Sequence, residues 1–214
     1  MVESRSEETK QRIRDAAAHV LSVKGYVGLR LTDVAALAEV QAPAIYHYYS
    51  SRDELIEEVM WVGTTATRDQ TAKVLDALPP DTSATDRLMA AVEAHLRQML
   101  EMSDYSNAAI RNAGQVPPSI RKRQIREENL YGELWRRLFT DIIRSGDMRA
   151  ELDPYLAQML MLGALNWALE WWDPHRTSVD TLVTNAQSFV RHSLLDVPSP
   201  SRVRHRGNGT RAKP

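Results

Sequence analysis

The stretch Leu31–Leu55 reads LTDVAALAEVQAPAIYHYYSSRDEL and predicts two short helices joined by a tight turn, followed by the start of a longer helix. Apolar residues at helical spacing place the two short helices over Thr32–Ala38 and Ala42–Tyr49. Ser51 and Glu54 then match a capping box, in which the two side chains bind free N–H groups at a helix N-terminus. This stretch therefore predicts a compact, helical unit with a short second helix.

The same helical periodicity continues outward in both directions. Upstream, a helix is predicted over Glu8–Lys24, and it ends at Gly25, which suits a C-terminal cap with positive φ. Downstream, helices are predicted near residues 52–78, 86–102, 106–113, 117–144, 154–172 and 178–195. No segment alternates steadily between polar and apolar residues. The sequence therefore predicts an all-α fold of about nine helices.

Composition narrows the class of protein. Hydrophobic residues make up 43% of the 214 residues and charged residues 26%, as in an ordinary globular protein. The absence of cysteine excludes disulfides, thiolate nucleophiles and Cys-ligated zinc, and it is compatible with the cytoplasm, where we place the protein. The charged N-terminus predicts no signal peptide. Polar residues interrupt the most apolar stretch, Leu156–Trp172, so we expect no membrane association and no metal or cofactor.

Charge is distributed unevenly along the chain. The net charge is only -1, but residues 197–214 hold five basic and no acidic side chains. This segment is rich in Pro, Ser and Gly and lacks apolar periodicity, which predicts a disordered basic tail. Such a tail can attract nucleic acid weakly, and a merely solubilising end explains it equally well.

The two short helices also have the features of a helix-turn-helix, a unit whose second helix enters the major groove of DNA. Val34, Ala35, Val40 and Ile45 are expected to form the shared core. The outer face is then predicted to carry Gln41, Ala42, Ala44, Tyr46, His47 and Tyr48.

Each type of residue on this face suits a different part of DNA. Gln41 suits an adenine edge, alanine suits a thymine methyl group, and Tyr or His donors suit phosphate oxygens. Arg52, beside the free N–H groups of the next helix, is predicted to bind phosphate. Simple packing is the competing interpretation of the aromatic residues. It is the one we adopt for Tyr49, whose spacing from Ile45 points it inward.

The pattern Ala38-x-Val40-x3-Ala44-Ile45-Tyr46-x-x-Tyr49-x-Ser51-Arg52-Asp53-Glu54-Leu55 resembles the signature of TetR-family transcription regulators. The resemblance implies DNA contacts from Thr32, Gln41, Ala42, Pro43, Ala44, Tyr46, His47, Tyr48 and Arg52. Two positions depart from the family pattern. Arg30 replaces a capping Thr, and we assign it a phosphate contact instead. Glu39 replaces a turn glycine, which costs about 1 kcal/mol if φ is positive.

The resemblance also implies a homodimer that reads double-stranded, palindromic DNA. It divides the chain into a DNA-binding domain (1–52), a ligand-binding and dimerisation domain (53–196) and the tail (197–214). The last two helices are the candidate interface, because the first of them is apolar on all sides. The dimer contacts that we predict are Gly163, Trp167, Trp171, Leu182, Ala186 and Phe189.

In this family the larger domain binds a small hydrophobic effector, and wide apolar side chains are available for it here. The predicted ligand contacts are Trp61, Met89, Met99, Met102, Tyr105, Arg111, Arg123, Tyr131, Trp135, Leu138 and Met159. Ordinary core packing is the alternative for the apolar members. No acidic residue separates Arg111 from Arg126, so this basic run is either a solvated face or a phosphate site. Residues 165–174 resemble regulators of fatty-acid and sterol breakdown, which implies an acyl-CoA effector.

Two rival interpretations remain at this point. An all-α enzyme is disfavoured because the sequence has no Gly-rich phosphate loop, no GxSxG elbow and no HExxH motif. A ligand-binding or scaffold dimer without DNA binding is disfavoured by the aromatic face at Tyr46–Tyr48. We expect a repressor rather than an activator only because the family mostly represses.

Overall fold

A computed structural model describes residues 2–102 and 104–196, without the side chains of residues 2–4 and Met102. The predicted basic tail, 197–214, and Met102 as a ligand contact lie outside this description. Within the described residues the fold is all-α. The helices are α1 (Val2–Gly28), α2 (Leu31–Leu37), α3 (Ala42–Ile45), α4 (Arg52–Asp76), α5 (Ala84–Arg97), a π-helical turn (Gln98–Met102), α6 (Asp104–Asn112), α7 (Lys122–Ser145), α8 (Pro154–Trp171) and α9 (Val179–Leu194).

The N-terminal bundle is built on α1, α2, α3 and the first half of α4. Ile13, Leu21, Val34, Ile45 and Leu55 lie at its centre with almost no exposed surface. Ala108, Ala109 and Val116, from α6 and the loop after it, belong to the same apolar cluster. The N-terminal core therefore extends beyond the predicted domain boundary at residue 52.

The C-terminal bundle consists of α5, α7, α8, α9 and the second half of α4. Its core centres on Trp135, whose fully buried ring packs edge-on against the rings of His95 and Tyr131. Pro154 and Ser178 help to set the starts of α8 and α9. Pro154 needs no donor in the first turn, and the Ser178 hydroxyl accepts the Thr181 N–H at 3.2 Å.

Helices α4 and α6 join the two bundles. They cross so closely that a Cβ on Gly63 of α4 would lie 2.1 Å from the carbonyl oxygen of Tyr105. Only glycine permits this approach. The N-terminal half of α4 packs in the first bundle and its C-terminal half in the second, so α4 is shared by both.

Three local predictions were wrong. Helix three ends at Ile45 rather than Tyr49, because Tyr46, His47 and Tyr48 form shorter, 3₁₀-type bonds. Helix α7 starts at Lys122, since Pro117 and its neighbours form a turn. The Ser51 hydroxyl does cap α4, but the Glu54 carboxylate accepts the N–H of Ser50, at 2.6 Å, rather than that of Ser51.

None of the helices in the described ranges is both long and apolar enough to cross a membrane. Instead, α8 carries apolar side chains on a face that no other helix covers. Trp167 is 64% exposed and Leu160 is 75% exposed on α8, and Phe189 is 58% exposed on the adjacent α9. These residues and Leu156 and Trp171 form one surface, called the α8–α9 face below.

Candidate functional site

The turn between α2 and α3 is built on a left-handed residue. Glu39 has φ of 55° and is the one non-glycine residue with positive φ in the described part of the chain. This conformation lets the N–H of Val40 reach the carbonyl of Ala35 at 3.0 Å, which closes the turn. Val34, Ala35 and Ile45 are buried beneath it, as predicted.

Most predicted DNA contacts lie on one surface around α2 and α3. Arg30, Thr32, Gln41, Pro43, Tyr46 and His47 are exposed, and Ala42, Ala44 and Tyr48 are half-buried. Tyr46, at 58% exposure, is the large aromatic side chain on this surface. Tyr49 is buried, as predicted. These residues together form the reading surface, and their DNA contacts stay predictions.

Arg52, one of the predicted phosphate contacts, is bonded to several groups of the protein itself. Its guanidinium donates to the carbonyl of Leu29 at 3.1 Å and to the carbonyl of Tyr26, and it stacks on the Tyr26 ring at 4.6 Å. It also pairs with Asp53 at 3.2 Å. These bonds fix the end of α1 against the start of α4, and the phosphate contact of Arg52, whose side chain is 30% exposed, stays a prediction.

A cavity of about 650 Å³ lies within the C-terminal half of the molecule. Its wall comes from α4, α5, α6, α7 and α8. The exposed lining residues, such as Asn129, Arg136, Tyr155 and Met159, all lie on α7 and α8. The mouth therefore opens between these two helices, and the inner end lies against α6. A cavity of this size suits a small, mostly apolar molecule.

The polar groups of the cavity wall are largely bonded to one another. The two ring nitrogens of His95 lie 2.9 Å from the Tyr131 hydroxyl and 3.0 Å from Oδ1 of Asn166. Burial lowers the pKa of His95 to about 4, and the bond to Asn166 opposes this only in part, so the ring is neutral near pH 7. Thr67 donates to the Ser106 hydroxyl at 3.0 Å.

Three of the predicted ligand contacts, Tyr131, Trp135 and Met159, line this cavity. The others whose side chains are described do not. Met89, Met99 and Leu138 are buried in the core instead. Helical spacing predicted that they face inward, but it does not distinguish a cavity wall from packed interior. The Tyr105 hydroxyl donates to Asp15 at 2.6 Å, and the Trp61 ring lies under the Arg123 guanidinium.

Carboxylates pair with three members of the basic run between Arg111 and Arg126, whereas Lys122 and Arg126 are exposed. Arg111 binds Glu170 at 2.8 Å, and Arg123 binds Glu58 at 3.0 Å. Arg121 pairs with Glu128 at 3.0 Å. The acidic partners come from elsewhere in the chain, so a sequence window without acids did not reveal them.

Two contacts that sequence reasoning missed connect the cavity helices to α1. The buried Asn112 of α6 accepts the Tyr26 N–H at 2.7 Å and donates to the Leu21 carbonyl at 3.2 Å. Gly25, with φ of 70°, breaks α1 here and leaves that N–H without a helical acceptor. In addition, Glu58 of α4 binds both Arg14 of α1 and Arg123 of α7, each at 3.0 Å.

The predicted dimer contacts fall into two groups. Gly163, Trp167, Trp171 and Phe189 are exposed, whereas Leu182 and Ala186 are half-buried against the C-terminal core. Gly163 also lies at the rim of the cavity. A groove of about 500 Å³ between the start of α8 and the end of α9 continues the α8–α9 face.

A helix-turn-helix surface joined to a cavity-bearing helical bundle defines a ligand-responsive DNA-binding regulator. A family model described as bacterial regulatory proteins, tetR family, matches residues 13–59. A second, described as tetracyclin repressor-like, C-terminal domain, matches residues 81–194. The chain belongs to the TetR family, whose members are non-enzymatic and bind operator DNA as dimers.

Solved structures share this fold. AibR, in complex with isovaleryl coenzyme A and operator DNA, is 16% identical, with a TM-score of 0.76 over 85% of this chain and 97% of that chain. The ketosteroid regulator KstR2 of Mycobacterium tuberculosis is 14% identical, with a TM-score of 0.76 over 88% and 95%. The fatty acid degradation regulator FadR from Bacillus halodurans is 18% identical, with a TM-score of 0.70 over 86% and 95%. No curated protein matches the chain.

Proposed function

We propose that the protein is a homodimeric repressor that leaves a palindromic operator when a small, largely apolar effector enters the cavity. The observation that carries this proposal is the position of α6. One side of this helix lines the cavity through Ser106, Ala109 and Ile110. Asn112 and Ala108, on the same helix, pack against the DNA-binding bundle.

Effector binding controls DNA binding only if the effector prefers the state that does not fit the operator. The contacts of α6 with α1 and α4 explain how such a preference arises. A ligand that displaces α6 strains the Asn112 bonds to α1 and the close crossing at Gly63. Because α1 supports the reading surface, its displacement changes the angle and spacing of the two reading surfaces in a dimer.

The dimer itself is proposed to form through the α8–α9 face. Trp167 and Leu160 are too large and too exposed to be scattered surface residues, and they lie on one continuous apolar strip. A two-fold axis through this strip lets the same patch serve both subunits.

An acyl-CoA thioester is the effector that we propose to test first. Its acyl chain fits the apolar cavity, and its nucleotide has to stay outside. Arg136 lies at the mouth, is exposed and forms no ion pair among the described residues, so it replaces Arg111 and Arg123 as the proposed phosphate contact. AibR, which has this fold, is described as bound to isovaleryl coenzyme A.

The proposal is tested by a gel-shift assay on DNA upstream of the protein's own gene. We expect binding that weakens steeply with salt and is reversed by an acyl-CoA or another apolar ligand. Expression of a reporter under this DNA should rise when the ligand is added. Absence of salt-dependent binding to any genomic fragment contradicts the proposal, and binding that the ligand strengthens contradicts the repressor mechanism.

A further inference from the structure

Two residues that line the cavity each hold a buried polar atom without a hydrogen-bond partner: Gln124 has such an acceptor, Oε1, and Trp135 has such a donor, Nε1. Gln124, near the start of α7, lines the cavity and is only 1% exposed. Its Nε2 donates to Glu128 at 3.0 Å and lies 3.5 Å from the carbonyl oxygen of Ala109. Its Oε1 is buried and accepts no hydrogen bond. A buried acceptor of this kind is uncommon in native proteins.

The orientation of this carboxamide is fixed by its neighbours. Turning it over would place Oε1 against the Glu128 carboxylate and the Ala109 carbonyl, so that oxygen would face oxygen. Glu128 is in turn held by Arg121 at 3.0 Å. Gln124 therefore presents an acceptor, and not a donor, to whatever reaches it.

Among the fully buried polar atoms of the lining residues, Oε1 of Gln124 is the acceptor without a partner, and Nε1 of Trp135 is the donor without one. His95 is bonded through both ring nitrogens, and Thr67 and Ser106 bond to each other. A ligand donor that enters the cavity thus finds an available acceptor at Gln124, whereas a ligand that carries only acceptors gains nothing there.

We infer that the effector carries a neutral hydrogen-bond donor, a hydroxyl group, on the part that enters the cavity, and that Oε1 of Gln124 accepts this bond. The inference rests on the proposed function and specifies the ligand of the same cavity. A carboxylate is excluded from this position because it offers only acceptors and would lie near Glu128. An ammonium is disfavoured because Arg121 already neutralises that carboxylate and burial of a charge is costly.

The position of Gln124 also connects the hydroxyl group of the ligand to the proposed release of DNA. The same side chain lies beside the Ala109 carbonyl, and Ala109 belongs to the cluster that packs against α1. A hydroxyl that binds Oε1 therefore sits at the junction of α6 and α7, where a displacement reaches the DNA-binding bundle most directly.

The test compares 1-decanol with its isomer methyl nonyl ether, which can accept but not donate, and with decanoate. Binding to the full-length protein is followed by calorimetry. We expect the wild type to bind the alcohol about tenfold more tightly than the ether, as one hydrogen bond to a buried acceptor supplies. Decanoate should bind more weakly than the alcohol.

Variants assign the preference to one atom. Gln124→Met keeps the length of the side chain and removes the acceptor, so the alcohol-to-ether ratio should fall to about one. The matched control is Leu162→Met, because Leu162 also lines the cavity but its side chain has no hydrogen-bonding atom to lose. The control should keep the wild-type ratio. Because each ratio is taken within one protein, a general loss of stability does not affect it.

The possible failures are distinct. Equal affinity of the wild type for the alcohol and the ether overturns the inference and leaves the proposed function intact. A preference for the alcohol that survives in Gln124→Met also overturns it. If none of the three probes binds, the cavity does not hold apolar ligands, and the effector part of the proposed function fails as well.

Discussion

Glu39 is the residue at which the reading surface holds backbone strain. Its φ of 55° is needed to close the turn between α2 and α3, although its side chain is exposed and reaches only Arg12, at 3.9 Å. A Cβ in the left-handed region costs about 1 kcal/mol relative to glycine. The ion pair is exposed and repays little of that cost.

Glu39→Gly is therefore expected to stabilise the protein by about 1 kcal/mol. Thermal melting at a fixed protein concentration measures the change. The matched control is Ala36→Gly, at an exposed and helical position of α2, which should destabilise by about 1 kcal/mol. A Glu39→Gly variant that melts at or below the wild-type temperature contradicts the strain assigned to this residue.

Tyr46 is expected to act on DNA and not on stability, since its ring is 58% exposed. Tyr46→Ala should weaken DNA binding about tenfold in gel-shift titrations, as loss of one or two phosphate or base contacts does, with little change in melting temperature. Tyr49→Ala, at a position only 3% exposed, is the control that should lower the melting temperature instead. If Tyr46→Ala unfolds the protein, the assignment of the outer face is wrong.

The roles of some residues follow from the sequence around them, whereas the roles of others depend on distant partners and could not be predicted. Gly25 was recognised because a helix cap requires positive φ within a few residues of sequence, and Glu39 because the family pattern has a turn glycine at its position. Gln124 and Asn112 were not recognised, because what matters about them is set by distant partners. Asn112, for example, bonds to Leu21 and Tyr26, which are more than eighty residues away in the chain.

At the scale of elements, the crossing of α4 and α6 joins the cavity to the DNA-binding bundle. Gly63→Ala is expected to force these helices apart, because the added Cβ would lie 2.1 Å from backbone oxygen. Overpacking of this kind costs about 1–3 kcal/mol, which melting experiments detect. We expect DNA affinity to fall as well, since α6 supports α1.

Gly132→Ala is the control for that prediction. Gly132 lies inside α7, and a Cβ there would meet no atom within 4 Å. Alanine should stabilise the helix by up to about 1 kcal/mol. Equal stability of the two variants would show that the α4–α6 crossing is not tightly packed.

Helical periodicity predicted the number and order of the helices but not the length of α3 or the start of α7. Tyr, His and their neighbours after Ile45 have modest helix propensity, and packing of Tyr48 and Tyr49 decides their conformation. Periodicity also placed Met89 and Leu138 on apolar stripes without saying which stripe faces a cavity. That distinction depends on how five helices meet, which no single helix encodes.

At the scale of the whole molecule, the α8–α9 face predicts a dimer. Trp167→Glu should place a charge at its centre and give monomers, measured by sedimentation equilibrium, with weaker operator binding. Leu130→Glu is the control, since Leu130 is 45% exposed on α7, a helix that is not part of this face, and should leave the mass unchanged. A Trp167→Glu variant with the wild-type dimer mass refutes this interface.

The central claim is that the cavity controls the reading surface through α6. It is tested most directly by titrating a palindromic fragment, selected by the protein from genomic DNA, with and without a saturating ligand of the cavity. Fluorescence anisotropy gives the Kd in each case. We predict that the ligand raises the Kd by about 5- to 150-fold, the range of ordinary allosteric coupling. A Kd that stays the same at saturating ligand would contradict the claim, because the cavity and the DNA would then be independent.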